Sequence, residues 1–329
     1  MSRKRGPFQV EGDIATHPAV VGLRRTRPDL GPVERVDVLK ERGKSRGVYR
    51  LSGGAASGAV FIAKQGRADT IQKERHVYEA VLPSLGVRSL RFLGTAGDEC
   101  GSLWVLIEAA DGAPFDEQDP HHRRLAAEWF ARLHTHEWSP ASRAGMPVRD
   151  LASYRTVLDQ ATLTLRAVGT TNKLLPPEGA VVVESLEAQL RDLRTHWASF
   201  AEGGDPAPGT VVHGDVQPKN MVVSPEGHLL VFDWEHCGLG DPCRDLDPCL
   251  DLDAYFGAVI EPWPAFDRER LQRMIVRGEV LRLIDAIGWE SVRLASPWWE
   301  RSVRHMGSYS RDLQALDLEL VGVHTEVTP

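Results

Sequence analysis

Residues 213–233 read HGDVQPKNMVVSPEGHLLVFD, and this stretch decides the fold of the 329-residue chain. Its two short apolar runs, MVV and LLVF, flank Ser224-Pro225-Glu226-Gly227, which places Ser, Pro and Gly where a type I turn prefers them. The pattern predicts a β-hairpin. If the two runs pair, Asn220 at one open end and Asp233 at the other become neighbours.

The polar residues of this stretch suit phosphoryl transfer. An amide oxygen from Asn220 beside the carboxylate of Asp233 is a good pair of ligands for a hard cation such as Mg²⁺. Asp215, which precedes them, is a carboxylate that can receive the proton of an attacking hydroxyl. The alternative interpretation is an ordinary polar turn with a buried aspartate.

The sequence after the hairpin makes the pattern more specific. It continues with Gly238-Leu239-Gly240-Asp241-Pro242 and Asp245-Leu246. Together HGDVQPKN, VFDWE and GDPCRDL resemble the signature of the aminoglycoside phosphotransferase-like kinases, a family that also covers choline kinase-like enzymes. This resemblance implies a protein-kinase fold, phosphorylation of a small molecule, ATP or GTP as the donor, and Mg²⁺.

The resemblance also implies roles for single residues. Asp215 is expected to be the catalytic base, and Asn220 and Asp233 the metal ligands. Asp245 is expected to hold the catalytic loop from behind, with His213 as a second supporting residue.

Two positions depart from the family pattern, which often has His and Gly where this chain has Gln217 and Lys219. Lys219 could contact phosphate, but we expect it to face solvent.

The N-terminal third predicts strands around a glycine-containing loop. Val36 and Val38, with the stem of Lys40, alternate as in a strand, and VYRL at 48–51 and AVFIAK at 59–64 follow. We expect Gly43, Ser45 and Gly47 to let backbone amides approach phosphate, and Lys64 to contact the α- and β-phosphates; the alternative is a solvated strand end.

A Walker P-loop ending at Gly43-Lys44-Ser45 is the competing interpretation of this loop. That motif needs a glycine where Val38 stands, and the residues after the loop favour a strand rather than a helix. The sequence therefore excludes it.

Two further segments complete the predicted nucleotide site. Apolar residues from Ile71 to Leu85 recur with helical period, and either Glu74 or Glu79 could pair with Lys64. The resemblance favours Glu74. The apolar run LWVLI at 103–107 is typical of a buried strand, and by resemblance the backbone of Glu108 and Ala110 after it would bind adenine.

The predicted fold is α+β and bilobal. Residues 1–112 would form the nucleotide-binding lobe, an antiparallel sheet with a helix, preceded by a lead-in at 1–30. Residues 113–329 would form a larger helical lobe with the catalytic loop, the metal ligands and the substrate pocket. His134 and His136 lie two residues apart and cannot share a helix face, so we expect helix-end polar residues rather than a metal pair.

Composition excludes several classes of protein. A net charge of −7 argues against a general nucleic-acid binder, no apolar run is long enough for a membrane span, and no secretory leader is evident. We expect a cytoplasmic protein, a monomer or a homodimer. Cys237, Cys243 and Cys249 lie near His236, but their spacing matches no common zinc pattern, and reduced thiols are expected.

The substrate class is predicted from two features: the chain has no room for the activation segment of a protein kinase, and acidic residues follow the metal-binding aspartate. The GDP motif follows Asp233 so closely that a protein kinase's activation segment has no room, and Gly214 stands where protein kinases have arginine. Glu235, Asp251 and Asp253 could contact the ammonium groups of an acceptor; alternatively such acidic residues cap backbone or face solvent.

The sequence thus predicts an O-phosphotransferase acting on a small, cationic, hydroxylated molecule, an aminoglycoside-like or other antibiotic. The alternatives are a metabolic kinase for an amino sugar, a choline-like alcohol or homoserine, and a non-catalytic pseudokinase that only binds. The acceptor, the hydroxyl modified, the preference for ATP or GTP and the oligomeric state stay open.

Overall fold

The chain divides into two compact units whose segments alternate along the sequence. The structure, a computed structural model, describes residues 7–41, 46–53, 59–97, 101–171, 175–202, 209–296 and 299–323. The first unit takes in the described residues of Met1–Trp129, Glu137–Met146 and Gln217–Cys237. The second takes in those of Phe130–His136, Pro147–Val216 and Gly238–Pro329. A functional boundary near Gly112 stays a prediction.

The first unit is built on a six-stranded antiparallel sheet with the order β1-β2-β3-β4-β6-β5. Its strands are β1 (Phe8–Gln9), β2 (Arg35–Glu41), β3 (Gly47–Ser52), β4 (Val60–Gly66), β5 (Phe92–Gly97) and β6 (Leu103–Glu108). The predicted strands are therefore present, and the lead-in adds β1 at the sheet edge, where Phe8 pairs with Val38.

Strand β6 is buried on both faces of the sheet. Trp104 and Leu106 of β6 pack in one buried cluster with Leu23 of α1 (Pro18–Thr26). Val105 and Ile107 alternate with them and are also buried, because successive strand residues point to opposite faces. A strand buried on both faces is what the uninterrupted apolar run predicted.

A helical segment that packs on the sheet differs from the regular helix that the periodicity predicted. It consists of α2 (Ala68–His76), a π-helical turn at Val77–Val81 and α3 (Leu82–Leu85). The π turn widens the helix directly after α2. Such turns insert one extra residue and are frequent at functional sites.

Strand β2 also departs from its simple alternation. The pairing of β2 with β3 shifts register between Val38 and Lys40, and the Lys40 side chain is exposed. A bulge of this kind bends a strand and re-aims the side chains after it. Lys40 therefore does not continue the buried face.

The predicted hairpin belongs to the first unit. Strands β10 (Met221–Val223) and β11 (Leu229–Val231) pair antiparallel, and β10 also pairs with β7 (Ala113–Pro114). The amide of Gly227 donates to the carbonyl of Ser224 at 2.9 Å, which closes the turn. The hairpin and its turn are confirmed.

The second unit is mainly helical. Its small sheet joins β8 (Val148–Arg149), β12 (Gly238–Gly240) and β9 (Thr210–Val212) in that order. Its helices are α6 (Leu151–Thr171), α7 (Pro177–Thr195), α8 (Trp197–Glu202), α9 (Leu252–Val259), α10 (Arg268–Ser291) and α11 (Trp299–Gln314). α4 (Pro120–Thr135) passes from the first unit into the second, and the short α5 (Pro140–Arg143) belongs to the first.

Sequence patterning and helix capping explain these helices. Asp251 and Asp267 cap α9 and α10 by accepting the amides of Ala254 and Arg270, as N-caps do. Helix α6 continues through Gly169 to Thr171, and no proline interrupts it there. Trp289 on α10 is 45% exposed.

The antiparallel sheet of the first unit and the helices of the second agree with the predicted α+β class. Within the described ranges, none of the helices combines the length and the apolar character that crossing a membrane requires.

Candidate active site

Lys64 and Glu74 form the centre of the site in the first unit. The Lys64 Nζ lies 2.5 Å from Glu74 Oε1, with Lys64 on β4 and Glu74 on α2. The predicted contact is therefore present. Glu79, the other candidate, pairs instead with Arg75 on the exposed helix surface at 2.8 Å.

Two more carboxylates surround the same ammonium group. Lys64 Nζ contacts Asp233 Oδ1 and lies 3.4 Å from Glu235 Oε2. Burial opposes the charge of Lys64, but Glu74, Asp233 and Glu235 together hold its pKa above the ordinary value. Burial raises the pKa of Glu74, whose side chain is only 2% exposed.

Asp233 has an unusual backbone conformation. Its φ of 67° and ψ of 56° lie in the left-handed region, and it is the one non-glycine residue with positive φ in the described ranges. Aspartate tolerates this region better than most residues, yet the conformation still costs about 1 kcal/mol or more. Such strain tends to occur at functional sites, which supports a functional role for Asp233.

Asn220 precedes the first strand of the hairpin and lies at the same open end as Asp233, as predicted. It closes a short 3₁₀ turn, Pro218–Asn220, and is buried. The amide of Phe232 donates to the carbonyl of Asn220 at 3.1 Å, and Met221 pairs with Val231. The backbone of Asn220 is therefore adjacent to the residue before Asp233.

The donor set of this unit fits Mg²⁺. Glu74, Asp233 and Glu235 each offer a carboxylate oxygen, and these oxygens lie within 4.8 Å of one another. Oxygen ligands are the ones that hard cations prefer, and the carboxylates outnumber the ammonium of Lys64. Asn220 and Asp233 as the ligands stay a prediction, and no cysteine belongs to this group.

Glu235 was expected to contact the acceptor, and the structure places its carboxylate beside Lys64. It is 3.4 Å from Lys64 and 3.5 Å from His236. The hydrogen bond with His236, followed by the charge of Lys64, lowers the pKa of Glu235 well below its usual range. Its contact with an acceptor stays a prediction.

A pocket of about 200 Å³ opens beside Lys64 in the first unit. Its cationic lining consists of Lys64, Lys40, Arg46 and Arg67. Gly47 also lines it, and a Cβ at this position would lie 2.5 Å from the Tyr49 ring. A larger residue there would have to displace the Tyr49 ring. Clustered cations of this kind attract phosphate.

Gly43 and Ser45, the other predicted phosphate-binding residues, lie outside the described residues.

Lys73 is a residue that the sequence did not single out. It precedes Glu74 on α2, and its Nζ donates to the backbone carbonyl of Glu235. This bond ties α2 to the turn that carries Asp233. A lysine on a polar helix face gives no signal in the sequence, because only the fold shows what it reaches.

The predicted adenine-binding segment follows β6. The amide of Glu108 donates to the carbonyl of Arg91 at 2.9 Å, and the amide of Ala109 donates to Val60 at 3.0 Å. The Glu108 side chain lies 3.9 Å from both Arg88 and Arg91. Ala110 follows and is partly exposed. Their contacts with adenine stay predictions.

The loop that carries Asp215 belongs to the second unit. Asp245 accepts the amide of His213 at 2.6 Å and the amide of Gly214 at 2.7 Å. The amide of Asp215 donates to His213 Nδ1 at 3.2 Å. The expected bracing by Asp245 is therefore present, and His213 supports the loop from within. Asp215 itself is partly exposed, as a group that meets a substrate must be.

His134 has a different place from the one predicted. It was expected to be a polar residue at a helix end, but it is buried and bonds Asp245 Oδ2 at 3.2 Å and the Tyr255 hydroxyl at 2.9 Å. Burial acts against ionisation of Asp245, yet hydrogen bonds from His134 and the backbone hold its pKa below the ordinary value. The tertiary partner decides this position, and sequence spacing does not show it.

Arg244 also contacts the loop and was not singled out. Its Nη2 donates to the carbonyl of Gly214 at 2.7 Å. Gly214 has a φ of 77°, which favours glycine over other residues.

The two departures from the family pattern face outward. Lys219 Nζ donates to Gln217 Oε1 at 2.7 Å, in a bond that lies on the exposed surface. This agrees with the expectation that Lys219 faces solvent.

The other predicted acceptor contacts have structural partners. Asp251 caps α9 by accepting the amide of Ala254 at 3.0 Å. Asp253 pairs with Arg268, and both are largely exposed. Their role with an acceptor stays a prediction.

The three cysteines near His236 are buried free thiols: Cys237, Cys243 and Cys249. Burial raises the pKa of Cys243 well above its ordinary value, which opposes the thiolate form that zinc binds.

Comparison with known proteins identifies the fold and the family. No curated protein matches the chain. Among solved structures, the GDP complex of aminoglycoside 2′-phosphotransferase-IIIa is 17% identical with a TM-score of 0.63, covering 89% of this chain and 97% of that one. Spectinomycin phosphotransferase, in complex with ADP and spectinomycin, is 9% identical with a TM-score of 0.62 and coverages of 89% and 96%.

A choline/ethanolamine kinase family protein from Mesorhizobium loti is 18% identical with a TM-score of 0.54, covering 94% of this chain and 97% of that one. At these identities the likeness shows a shared fold, and it confirms the predicted bilobal, kinase-like α+β class. A family model described as the phosphotransferase enzyme family (APH) matches residues 41–293. The chain belongs to this phosphotransferase enzyme family and is a small-molecule kinase.

Proposed function

We propose that this kinase transfers the γ-phosphoryl group of ATP or GTP to a hydroxyl of a small cationic molecule, an aminoglycoside-like or other antibiotic. The observation that carries the proposal is the position of Lys64, which is held by Glu74, Asp233 and Glu235 beside a pocket lined with cations. This arrangement supports binding of a polyphosphate together with Mg²⁺.

Asp215 has the chemistry needed to activate the acceptor. A partly exposed carboxylate on a braced loop can orient a hydroxyl and take its proton late, since a loose transition state needs little basicity early. Most of the rate enhancement should come from in-line placement of the hydroxyl and from neutralising phosphate charge.

Lys64 has the position to supply part of that neutralisation. Its ammonium is partly buried and held by Glu74, so it can contact phosphate oxygens without reorganising. Asn220 and Asp233 would hold Mg²⁺, which, when bound, neutralises charge on the β- and γ-phosphates.

The donor and the acceptor are supported to different extents. GDP and ADP occur in the structures of similar fold, which supports a nucleoside triphosphate donor. The net charge of −7 is compatible with a cationic acceptor, and an aminoglycoside and spectinomycin are the acceptors named for two similar structures. We propose a cytoplasmic location, where ATP and GTP are supplied.

The choline/ethanolamine kinase family neighbour keeps a metabolic acceptor as a second candidate: an amino sugar, a choline-like alcohol or homoserine. Choline-like alcohols and many amino sugars are cationic too, so the charge argument does not separate the two classes.

A coupled ADP- or GDP-release screen tests the proposal. It should cover aminoglycosides, macrolides, peptide antibiotics, nucleosides, amino sugars and amino alcohols with both nucleotides. Turnover with an antibiotic, together with raised resistance in cells that express the protein, is the expected result. Turnover restricted to metabolic alcohols would instead establish the second candidate.

The variant Asp215→Asn tests the catalytic assignment. Replacing the carboxylate with an amide of the same shape removes the proton acceptor, so kcat should fall by roughly 10³-fold or more. Binding of ADP, measured by calorimetry, should stay within about twofold of wild type because the nucleotide residues are untouched. Normal turnover by this variant would remove Asp215 from the mechanism.

A further inference from the structure

We propose that Arg244 is a positioning residue for the phosphoryl-transfer step, because it fixes the peptide that joins Gly214 to Asp215. The inference rests on the proposed role of Asp215. It concerns a residue beside Asp245, in the short turn Pro242–Asp245.

Arg244 makes three directed contacts from a buried position. It is 7% exposed. Its Nη2 donates to the Gly214 carbonyl at 2.7 Å, and its Nε donates to the Tyr154 hydroxyl at 2.9 Å. The same Nη2 lies 3.2 Å from Asp285 Oδ2. Because the guanidinium is planar and rigid, contacts on different edges fix its orientation as well as its position.

The two peptide groups on either side of Gly214 are held by two neighbouring side chains. The amide of Gly214, in the peptide before it, donates to Asp245 Oδ1 at 2.7 Å. The carbonyl of Gly214, in the peptide shared with Asp215, accepts from Arg244. Glycine has the widest backbone freedom of any residue, so this position needs external restraints. Without Arg244, the carbonyl of the peptide that joins Gly214 to Asp215 would lose this hydrogen bond. The peptide would then be held through its N–H, which donates to His213 Nδ1 over the longer distance of 3.2 Å.

The residues behind Arg244 hold it in place. Asp285 on α10 is 2% exposed and also lies 2.5 Å from Arg149 Nη2. Arg149 stacks over the Tyr154 ring at 5.1 Å. Asp285 therefore keeps a cationic partner if Arg244 is removed, which makes Arg244 open to substitution without leaving a buried carboxylate unpaired.

Burying a charged residue is an expensive way to stabilise a fold, since an apolar side chain of similar size is often as good or better. The directed bond to the Gly214 carbonyl is what an apolar residue could not supply. A shift of about 1 Å in a reacting group can reduce the rate on the order of 100-fold, so the position of this peptide matters for Asp215.

The test compares Arg244→Met with Arg149→Met, because both arginines contact Asp285 and Tyr154 but only Arg244 contacts Gly214. For Arg244→Met we expect kcat to fall roughly 10- to 100-fold, with the nucleotide Kd and acceptor KM within about twofold of wild type. For Arg149→Met we expect kcat to fall by about threefold at most. The kcat of Arg244→Lys should lie between those of wild type and Arg244→Met, because an ammonium can still donate to the Gly214 carbonyl.

Amide hydrogen exchange of the segment 213–216 gives a second readout that needs no turnover. Exchange at Gly214 and Asp215 should be faster in Arg244→Met than in wild type or Arg149→Met. A purely structural role would instead lower the folded fraction and the number of nucleotide sites, leaving kcat per site unchanged. A kcat within about threefold of wild type, or unchanged exchange, overturns the proposal.

If Arg244→Met does not fold, Arg244→Lys decides the matter. Lysine keeps the charge beside Asp285 but has no planar fork for Tyr154, Asp285 and Gly214 together. Faster exchange at Gly214 together with a lower kcat supports the proposal, and a wild-type value in either measurement overturns it. If wild-type protein turns over no nucleotide with any acceptor, the proposed function fails, and the exchange data still decide whether Arg244 fixes the loop.

Discussion

At the scale of single residues, the charge of Lys64 is balanced by the buried Glu74 on α2, while Glu79 on the following turn is exposed and pairs with Arg75. Lys64 could be paired with Glu74 or Glu79 on sequence alone, and the resemblance favoured the first. Burial explains the outcome, because Glu74 is enclosed beside Lys64 while Glu79 is on the surface with Arg75. His134 and Lys73 could not be predicted, since their partners are distant in sequence.

The two glutamates provide a matched pair of variants. Glu74→Gln removes the charge of the buried partner of Lys64. The Lys64 ammonium is then held only by Asp233 and Glu235, which should draw it away from the phosphate. We expect kcat/KM for the nucleotide to fall about 10- to 100-fold, on the order of 1.4 to 2.8 kcal/mol. Glu79→Gln should change it less than about twofold. Steady-state kinetics measures both, and equal effects would contradict the assignment.

Asp245 predicts a pH dependence of stability. Its pKa is lower in the folded chain than the ordinary 3.8, so its contribution is fully present above that value and is lost as pH falls through the lowered pKa. Asp245→Asn offers one acceptor oxygen to two backbone amides and should lose about 3 kcal/mol at neutral pH.

Urea unfolding measures this difference. The gap between wild type and Asp245→Asn should be constant from about pH 8 to 6 and shrink only below about pH 4. A gap that already narrows between pH 8 and 6 would contradict the assignment, because a carboxyl whose pKa lies below 3.8 stays ionised throughout that range.

At the scale of elements, the pattern of apolar residues predicted the strands and the hairpin, but not where backbone pairing deviates. The register shift at Val38/Lys40 and the π turn at Val77–Val81 each depend on one extra residue in a hydrogen-bonded ladder. The periodicity of apolar side chains in the sequence does not reveal such single-residue insertions. The close approach of α10 to the turn Pro242–Asp245 is equally invisible in the sequence.

That approach occurs at Gly278, and it can be tested with a second helical glycine as a control. A Cβ at Gly278 would lie 1.9 Å from the Cys243 carbonyl oxygen, whereas a Cβ at Gly257 in α9 would meet nothing within 4 Å. Gly278→Ala should therefore destabilise the chain by about 3 kcal/mol. Gly257→Ala should stabilise it by about 0.5 to 1 kcal/mol.

Chemical denaturation measures the free energy of unfolding of both glycine variants. If Gly278→Ala is as stable as wild type or more stable, α10 can move away from the turn with little loss of stability, and the predicted clash is wrong.

At the scale of the whole molecule, the order of motifs along the chain was enough to predict the fold class. Strands, a glycine loop, Lys64 and then HGD, VFD and GDP occur in one order in this fold, and the family match over residues 41–293 agrees. The way segments of the two units alternate along the sequence was not predictable. It depends on which distant segments pack together, and one sequence does not show that.

Nucleotide and Mg²⁺ should stabilise the folded chain as a whole, because they bind a site that exists only when the first unit is folded. At a ligand concentration of 100 times Kd the gain is about 2.7 kcal/mol, which corresponds to a rise in Tm of roughly 5 °C. With ADP or GDP, adding Mg²⁺ should raise the Tm of wild type and EDTA should reverse it. In Asp233→Asn the Mg²⁺-dependent part should vanish, since an amide replaces a charged metal ligand, while Asp29→Asn, a surface control paired with Arg27, should keep it. A full Mg²⁺ response in Asp233→Asn would mean that the metal is held by other residues.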